Sequence, residues 1–293
     1  PEDAERAYRA ALAQDPKFAD ALVGLGTLLL SQKKIDSAGK TLAEAKALDP
    51  TSPRVRLALS SVRAAEGKRR DAAKELEELP REARTPRVVL ALGQLYIADR
   101  RFDEAIQTLG PLVNRFPNAA QARYALGQAA LGANRADQAI REFDETLKLL
   151  PGDELVRYSL AVAQLNAGRP ADALKHLELL GKSLGKAAEY HLQLGRAYLA
   201  LGRHDEAVKA AGIARQLAPN RPQPYGLLGT IHLQEGQVGR AAEMYAKALE
   251  VDPSFAPGHL ARGAILSFDK KPEEALKEYD AALQADPRFA PAL

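Results

Sequence analysis

The small and apolar positions of this chain recur at long range. An alanine stands at Ala4, Ala38, Ala72, Ala105, Ala139, Ala173, Ala207, Ala241 and Ala275, at intervals of 34 residues apart from one of 33. Twelve residues before each of the last eight lies another small residue, at Gly26, Ser60, Gly93, Gly127, Ala161, Gly195, Gly229 and Gly263. A leucine precedes that residue at Leu25, Leu59, Leu92, Leu126, Leu160, Leu194 and Leu228, with Arg262 in the eighth case. Helices approach closely only where no bulky side chain holds them apart. The pattern therefore predicts pairs of helices, with both positions kept small so that the two helices of a pair, and the first helix of the next, can approach closely.

Polar punctuation sets the ends of these helices. Prolines at Pro16, Pro50, Pro117, Pro151, Pro219, Pro253 and Pro287, often preceded by Asp, close each second helix, because proline cannot continue one and pushes its predecessor out of helical space. Between the helices of a pair stand Gly67, Gly168, Gly202 and Gly236, with Asn134 at the equivalent place, residues that tolerate a left-handed backbone at a helix end. The expected class is all-α. At 293 residues the core grows by stacking pairs instead of closing into one globule.

These residues resemble the tetratricopeptide repeat (TPR), a unit of 34 residues with a small residue at its eighth position, alanine at its twentieth and proline at its thirty-second. Its large residue at the twenty-fourth position is matched by Tyr8, Phe143, Tyr245 and Tyr279, by Leu42, Leu76, Leu109 and Leu177, and weakly by Ala211. The resemblance implies a right-handed α-solenoid of antiparallel helix hairpins, the TPR superhelix. Its expected organisation is the second helix of a truncated repeat over 1–16 and eight repeats over 19–287. The repeats start at 19, 53, 86, 120, 154, 188, 222 and 256, and 288–293 open a further helix. Neither end carries the polar cap that terminal repeats need, so a segment of a longer protein is expected. Two junctions break the pattern, at Leu79-Pro80-Arg81 and over Leu180 to Gly185, and are expected to be flexible or re-angled joints.

Charge changes this picture little: 41 Lys and Arg against 38 Asp and Glu give a net charge of +3, with no continuous basic stripe, and no nucleic-acid partner is expected. Lys68-Arg69-Arg70, Arg100-Arg101 and Lys270-Lys271 fall at turns, and the acidic pairs Asp103-Glu104, Asp205-Glu206 and Glu273-Glu274 suit helix starts. With no cysteine, thiolate chemistry is excluded and the redox compartment stays open. The histidines, His176, His191, His204, His232 and His259, share no metal-ligand spacing. Gly24-Leu25-Gly26 lacks the third glycine of a dinucleotide fingerprint. The apolar stretch Leu22–Leu30 is too short to span a bilayer. The expectation is a soluble, non-enzymatic chain with no cofactor and no metal, compatible with a bacterial cytoplasm or periplasm.

By the resemblance, the concave face is lined by first-helix positions two, five, six, nine, twelve and thirteen. This assigns a partner-binding groove to Arg87, Leu90, Gln94, Gln121, Tyr124, Gln128, Tyr158, Val162, Gln193 and Arg196, flanked by Leu57, Ser61, Leu155 and Leu192. The family's carboxylate clamp needs a lysine at the fifth position, and its sugar-transferase members an asparagine ladder at the sixth; both are missing here. The expected function is a protein-interaction scaffold binding a peptide or helical segment, part of a larger bacterial assembly or envelope protein. Two alternatives stand beside it: the substrate-recruiting arm of an enzyme whose catalytic domain lies elsewhere, and a scaffold that self-associates through its ends.

Overall fold

The computed structural model describes residues 2–286, so the helix expected over 288–293 and the closing Pro287 lie outside the described residues. The chain divides into two compact units, Pro1–Asp153 and Glu154–Leu293. Among the described residues the regular structure is entirely helical. Unit 1 holds α1 (Glu2–Gln14), α2 (Ala19–Ser31), α3 (Ile35–Leu48), α4 (Pro53–Ala65), α5 (Arg69–Glu77), α6 (Pro86–Ala98), α7 (Phe102–Arg115), α8 (Ala120–Gly132) and α9 (Ala136–Leu149). Unit 2 holds α10 (Glu154–Asn166), α11 (Pro170–Leu179), the short α12 (Gly181–Leu184), α13 (Ala188–Ala200), α14 (His204–Leu217), α15 (Pro222–Gln234), α16 (Val238–Val251), α17 (Ala256–Phe268) and α18 (Pro272–Ala285). Within each unit antiparallel hairpins stack in chain order as an α-solenoid.

Most hairpins close by a knob entering a notch. A Cβ added to Gly26 would lie 2.5 Å from Leu42 Cγ, one on Gly93 2.5 Å from Leu109, one on Gly127 2.6 Å from the Phe143 ring, and one on Gly263 2.5 Å from Tyr279. The glycine is the space into which the large residue of the second helix sinks, and Leu42, Leu109 and Phe143 are fully buried. Where the knob is only Ala211, the notch at Gly195 is filled by Leu227 of the next hairpin, 2.8 Å from the added Cβ. Ser60 does without a glycine by donating its hydroxyl to the Ala72 carbonyl at 2.8 Å.

The turn between the two helices is the same eight times over. One residue takes a left-handed backbone, and the amide after it donates to the carbonyl five residues back, as from Lys34 to Leu29 and from Gly168's successor Arg169 to Gln164. At Gly67, Gly168, Gly202, Gly236 and Asn134 the residue type suits the conformation. At the three remaining turns Lys33, Arg100 and Lys270 adopt φ of 58–60°, positions that sequence did not single out because their side chains give no turn signal.

The two irregular junctions each carry local helical structure. Pro80 stops α5 at nine residues where other second helices run to 14, and α11 has ten. Leu79 and Leu180, each seven residues after the repeat's alanine, are buried and anchor the shortened ends. A 3-10 turn follows the first (Arg81–Ala83) and α12 the second. Arg84 caps the freed carbonyls of Glu77 and Leu79 at 2.7 and 3.1 Å, and Tyr190 donates to the Leu177 carbonyl at 3.2 Å. Pro111, inside α7, interrupts no more than one helical hydrogen bond, and the helix continues through it.

Successive hairpins are joined by a polar seam. The fourth residue of a first helix reaches back six residues to the carbonyl of the closing segment: Arg56 to Pro50 (2.8 Å), Arg123 to Pro117 (2.5 Å), Tyr225 to Pro219 (3.1 Å) and His259 to Pro253 (2.9 Å). Three of them also hold, on the second helix of their own hairpin, a glutamate placed three residues after the repeat's alanine. Arg56 pairs with Glu75 at 2.7 Å, Arg123 with Glu142 at 2.8 Å and His259 with Glu278 at 2.7 Å. Arg56 is almost wholly buried, and a second bond to Glu78 holds that carboxyl below its ordinary range.

Candidate functional site

The first helices are 13 residues each, and their register decides which side chains share a face. In unit 1, Arg87, Gln94, Gln121 and Gln128 stand exposed on α6 and α8, while Leu90 and Tyr124 are half-buried. The Tyr124 ring leans on Phe143, centroids 5.6 Å apart and planes at 46°, so the hairpin knob supports it. Of these residues Arg87, Leu90 and Gln121 border one pocket of about 870 Å³, which also takes in Leu112, Arg115, Phe116 and Leu150. Gln94, Tyr124 and Gln128 are not among its lining. Leu57 is half-buried, and Ser61 turns its hydroxyl back to the Leu57 carbonyl at 3.0 Å.

Unit 2 builds a cleft of about 600 Å³ from three consecutive first helices, α13, α15 and α17. Positions two, five, six and nine of each contribute: Glu189, Leu192, Gln193 and Arg196, then Gln223, Gly226, Leu227 and Thr230, then Pro257, Leu260, Ala261 and Ala264. Phe255 and Tyr245 complete the floor. Gly226 matters here because a Cβ would come within 2.8 Å of the Phe255 ring; the glycine lets that ring close the cleft. Thr230 shares a 3.0 Å hydrogen bond with the Tyr245 hydroxyl, whose pKa burial raises.

The polar residues of this cleft are largely committed to one another. Arg196 donates to Gln193 Oε1 at 2.8 Å and to Asn166 Oδ1 at 3.0 Å, and Gln193 donates to Glu189 at 2.8 Å. Gln193, expected to meet a partner, is buried in this chain of bonds and acts on the cleft by orienting Arg196. Arg196 has its side chain open to the cleft, yet surrounding protein displaces water and lowers its pKa, opposed by the Glu189 charge. No carboxylate lies within ion-pair distance of it among the described residues. Tyr158 and Val162 are half-buried and outside the cleft lining; burial, aided by Glu189, pushes the Tyr158 hydroxyl up to about 12.

The residues of α15 and α17 were legible by the same positional rule, carried two repeats further. Phe255, from the loop before α17, and Tyr245, from a second helix, obey no such rule and emerge only from the packing. The site offers a preformed apolar trough with one under-compensated cation and hydrogen-bonding edges, an arrangement suited to holding a chain segment. Among the described residues no helix is long and apolar enough to cross a membrane, and no group of three or more His, Asp or Glu stands together to hold a metal ion.

Comparison with known proteins bears on the fold and the family. No curated protein matches the chain. Among solved structures it is similar to Pseudomonas aeruginosa PilF, with 23% identity over 70% of this chain and 94% of that one and a TM-score of 0.59. It is also similar to a tetratricopeptide repeat protein of Parabacteroides merdae, with 16% identity, 88% and 98% covered and a TM-score of 0.62. A TPR protein of Thermus thermophilus shares 23% identity over 59% and 95%, with a TM-score of 0.54. Identities this low speak to fold alone. Tetratricopeptide repeat models match residues 1–62 and 130–194, 90–154 and 227–288, and 188–211. These matches together span most of the hairpins described above, and the chain belongs to the tetratricopeptide repeat family, whose repeats are generally non-catalytic modules of protein–protein interaction.

Proposed function

We propose that this protein is an interaction scaffold whose unit 2 cleft holds an extended or helical segment of a partner protein. The observation that carries the reading is that the same four positions of three consecutive first helices line one continuous trough. Apolar anchors of the segment rest on Leu192, Leu227, Leu260 and Phe255, while Arg196, Gln223 and Thr230 offer polar contacts to its backbone and side chains. The trough is preformed, so the scaffold itself loses little conformational freedom on binding. The segment loses more, and a Kd of order micromolar is expected.

The test is to compare proteins retained from source lysate by the immobilised native chain and by an Ala264→Glu variant, which places a charge on an exposed wall of the trough. Partners held by the native chain and released by the variant support the cleft. Equal retention by both removes it from consideration.

A further inference from the structure

The pocket of unit 1 differs from the cleft in position and chemistry. It opens at the edge where α6 and α8 begin and where α7 and α9 end, and two of its large walls, Phe116 and Leu150, are 40% and 42% exposed. Both occupy the place immediately before a closing proline. Elsewhere that place is held by Asp15, Asp49, Asp252 and Asp286, and once by the small, buried Ala218. The aspartate stabilises the turn: Asp15 accepts from the Lys17 amide at 2.9 Å, Asp49 from Thr51 at 3.2 Å and Asp252 from Ser254 at 2.9 Å. At two consecutive repeats the chain forgoes that bond, removes a negative charge and leaves apolar surface in water.

The charge balance of the pocket moves the same way. Arg87 and Arg115 line it, no acidic residue does, and neither arginine is ion-paired among the described residues. Arg115 instead lies over the Phe116 ring, 5.4 Å from its centroid. We propose that this pocket docks a short acidic segment of a partner protein. One large apolar side chain of the segment seats against Leu90, Phe116 and Leu150, and flanking carboxylates meet Arg87 and Arg115. The arginine forks suit carboxylates, and Arg115, already stacked on an aromatic face, gives up little freedom in binding one. The site is separate from the unit 2 cleft, and the two assignments stand or fall independently.

Fluorescence anisotropy of the full chain with two labelled peptides tests it, Gly-Asp-Asp-Leu-Phe-Asp-Asp-Gly and its counterpart with lysine for every aspartate. The acidic peptide should bind saturably and more weakly as salt rises, and the basic one at least about tenfold more weakly. Phe116→Asp with Leu150→Asp installs the residue that other repeats use, so folding and thermal stability are retained while binding falls about tenfold or more. Arg87→Gln with Arg115→Gln should weaken the acidic peptide about fivefold and flatten its salt dependence, and Ala264→Glu should leave it unchanged. Four outcomes would overturn the proposal: equal binding of the two peptides, no saturable binding of the acidic one at millimolar concentration, loss of binding through Ala264→Glu alone, or a native dimer that the Phe116 and Leu150 substitutions dissolve, which would assign the face to a second copy of this chain.

Discussion

The inside of a hairpin and the seam between hairpins solve the same packing problem with opposite chemistry. Inside, Leu42, Leu109 or Phe143 fills a notch left by glycine, and no polar atom takes part. At the seam Arg56, Arg123 and His259 bridge a proline carbonyl and a glutamate, while Tyr225 reaches only the carbonyl. These three notches are therefore intolerant of volume change and indifferent to pH and salt, whereas the seam tolerates different donors but depends on charge. Repeats vary the first solution in size, through Ser60, Ala161 and the small knob Ala211, and the second in the chemistry of its donor.

The largest expected effect is on the inside. Phe143→Ala should destabilise by about 3–5 kcal/mol, the range for emptying a buried aromatic site. Urea unfolding followed by helical circular dichroism measures it, and a loss under about 1 kcal/mol would mean that the notch collapses to close the gap. Next comes the buried seam: Arg56→Ala strands Glu75 beside Lys46 alone and should cost about 2–3 kcal/mol, somewhat less than for a fully enclosed pair. Hydrogen exchange should place the faster opening in α4 and α5, and uniform acceleration across unit 1 would erase the distinction between seam and inside.

Charge dependence sharpens the comparison further. The hydrogen bond from Arg56 holds the Glu78 carboxyl below its ordinary range against the opposing effect of burial. Its contribution is fully present above the unfolded-state value and is lost as pH falls through the depressed folded value. Acid should therefore loosen the contact that the seam arginine makes between α4 and α5 within its own hairpin, and have a smaller effect in Arg56→Met, as read by exchange of amides in those helices between neutral and acid pH. His259→Ala, which removes two bonds at the edge of unit 2, should cost about 1–2 kcal/mol. The smallest effect is a gain. Lys33→Gly, Arg100→Gly and Lys270→Gly each relieve a left-handed backbone and should stabilise by about 0.5–1 kcal/mol, whereas Gly67→Ala should do the reverse.

The same division explains what could be read in advance. The hairpin is legible because its requirement is steric and repeated: Gly26, Gly127 and Gly263 must be small, and Ala38, Ala139 and Ala275 follow them at a fixed interval in the chain. The turns were half legible, since glycine and asparagine advertise a left-handed backbone and Lys33, Arg100 and Lys270 do not. The seam escaped because arginine, tyrosine and histidine look unrelated as residue types and are equivalent only as donors to a carbonyl six residues back. At the candidate sites, Arg87, Leu90, Gln121, Gln193 and Arg196 followed from register. That Gln193 is consumed by Glu189 and Arg196 depends on side-chain geometry that register does not specify.

The recurrence of the notch also creates a hazard during folding. A second helix carrying one knob meets, 34 residues away, another first helix with nearly the same recess, and pairing with the wrong one would skip a repeat. The knobs are of more than one kind: Leu42 and Leu109 are aliphatic, Phe143 is a bare ring, and Tyr245 and Tyr279 carry hydroxyls that find Thr230 and Ser267. A mispaired tyrosine would lose its hydroxyl partner, and a leucine in a recess shaped for a ring would leave a void. Where neighbouring knobs differ in kind, as Leu109 and Phe143 do, the mismatch opposes out-of-order pairing; where they match, as Tyr245 and Tyr279 do, order must come from the chain's local connectivity.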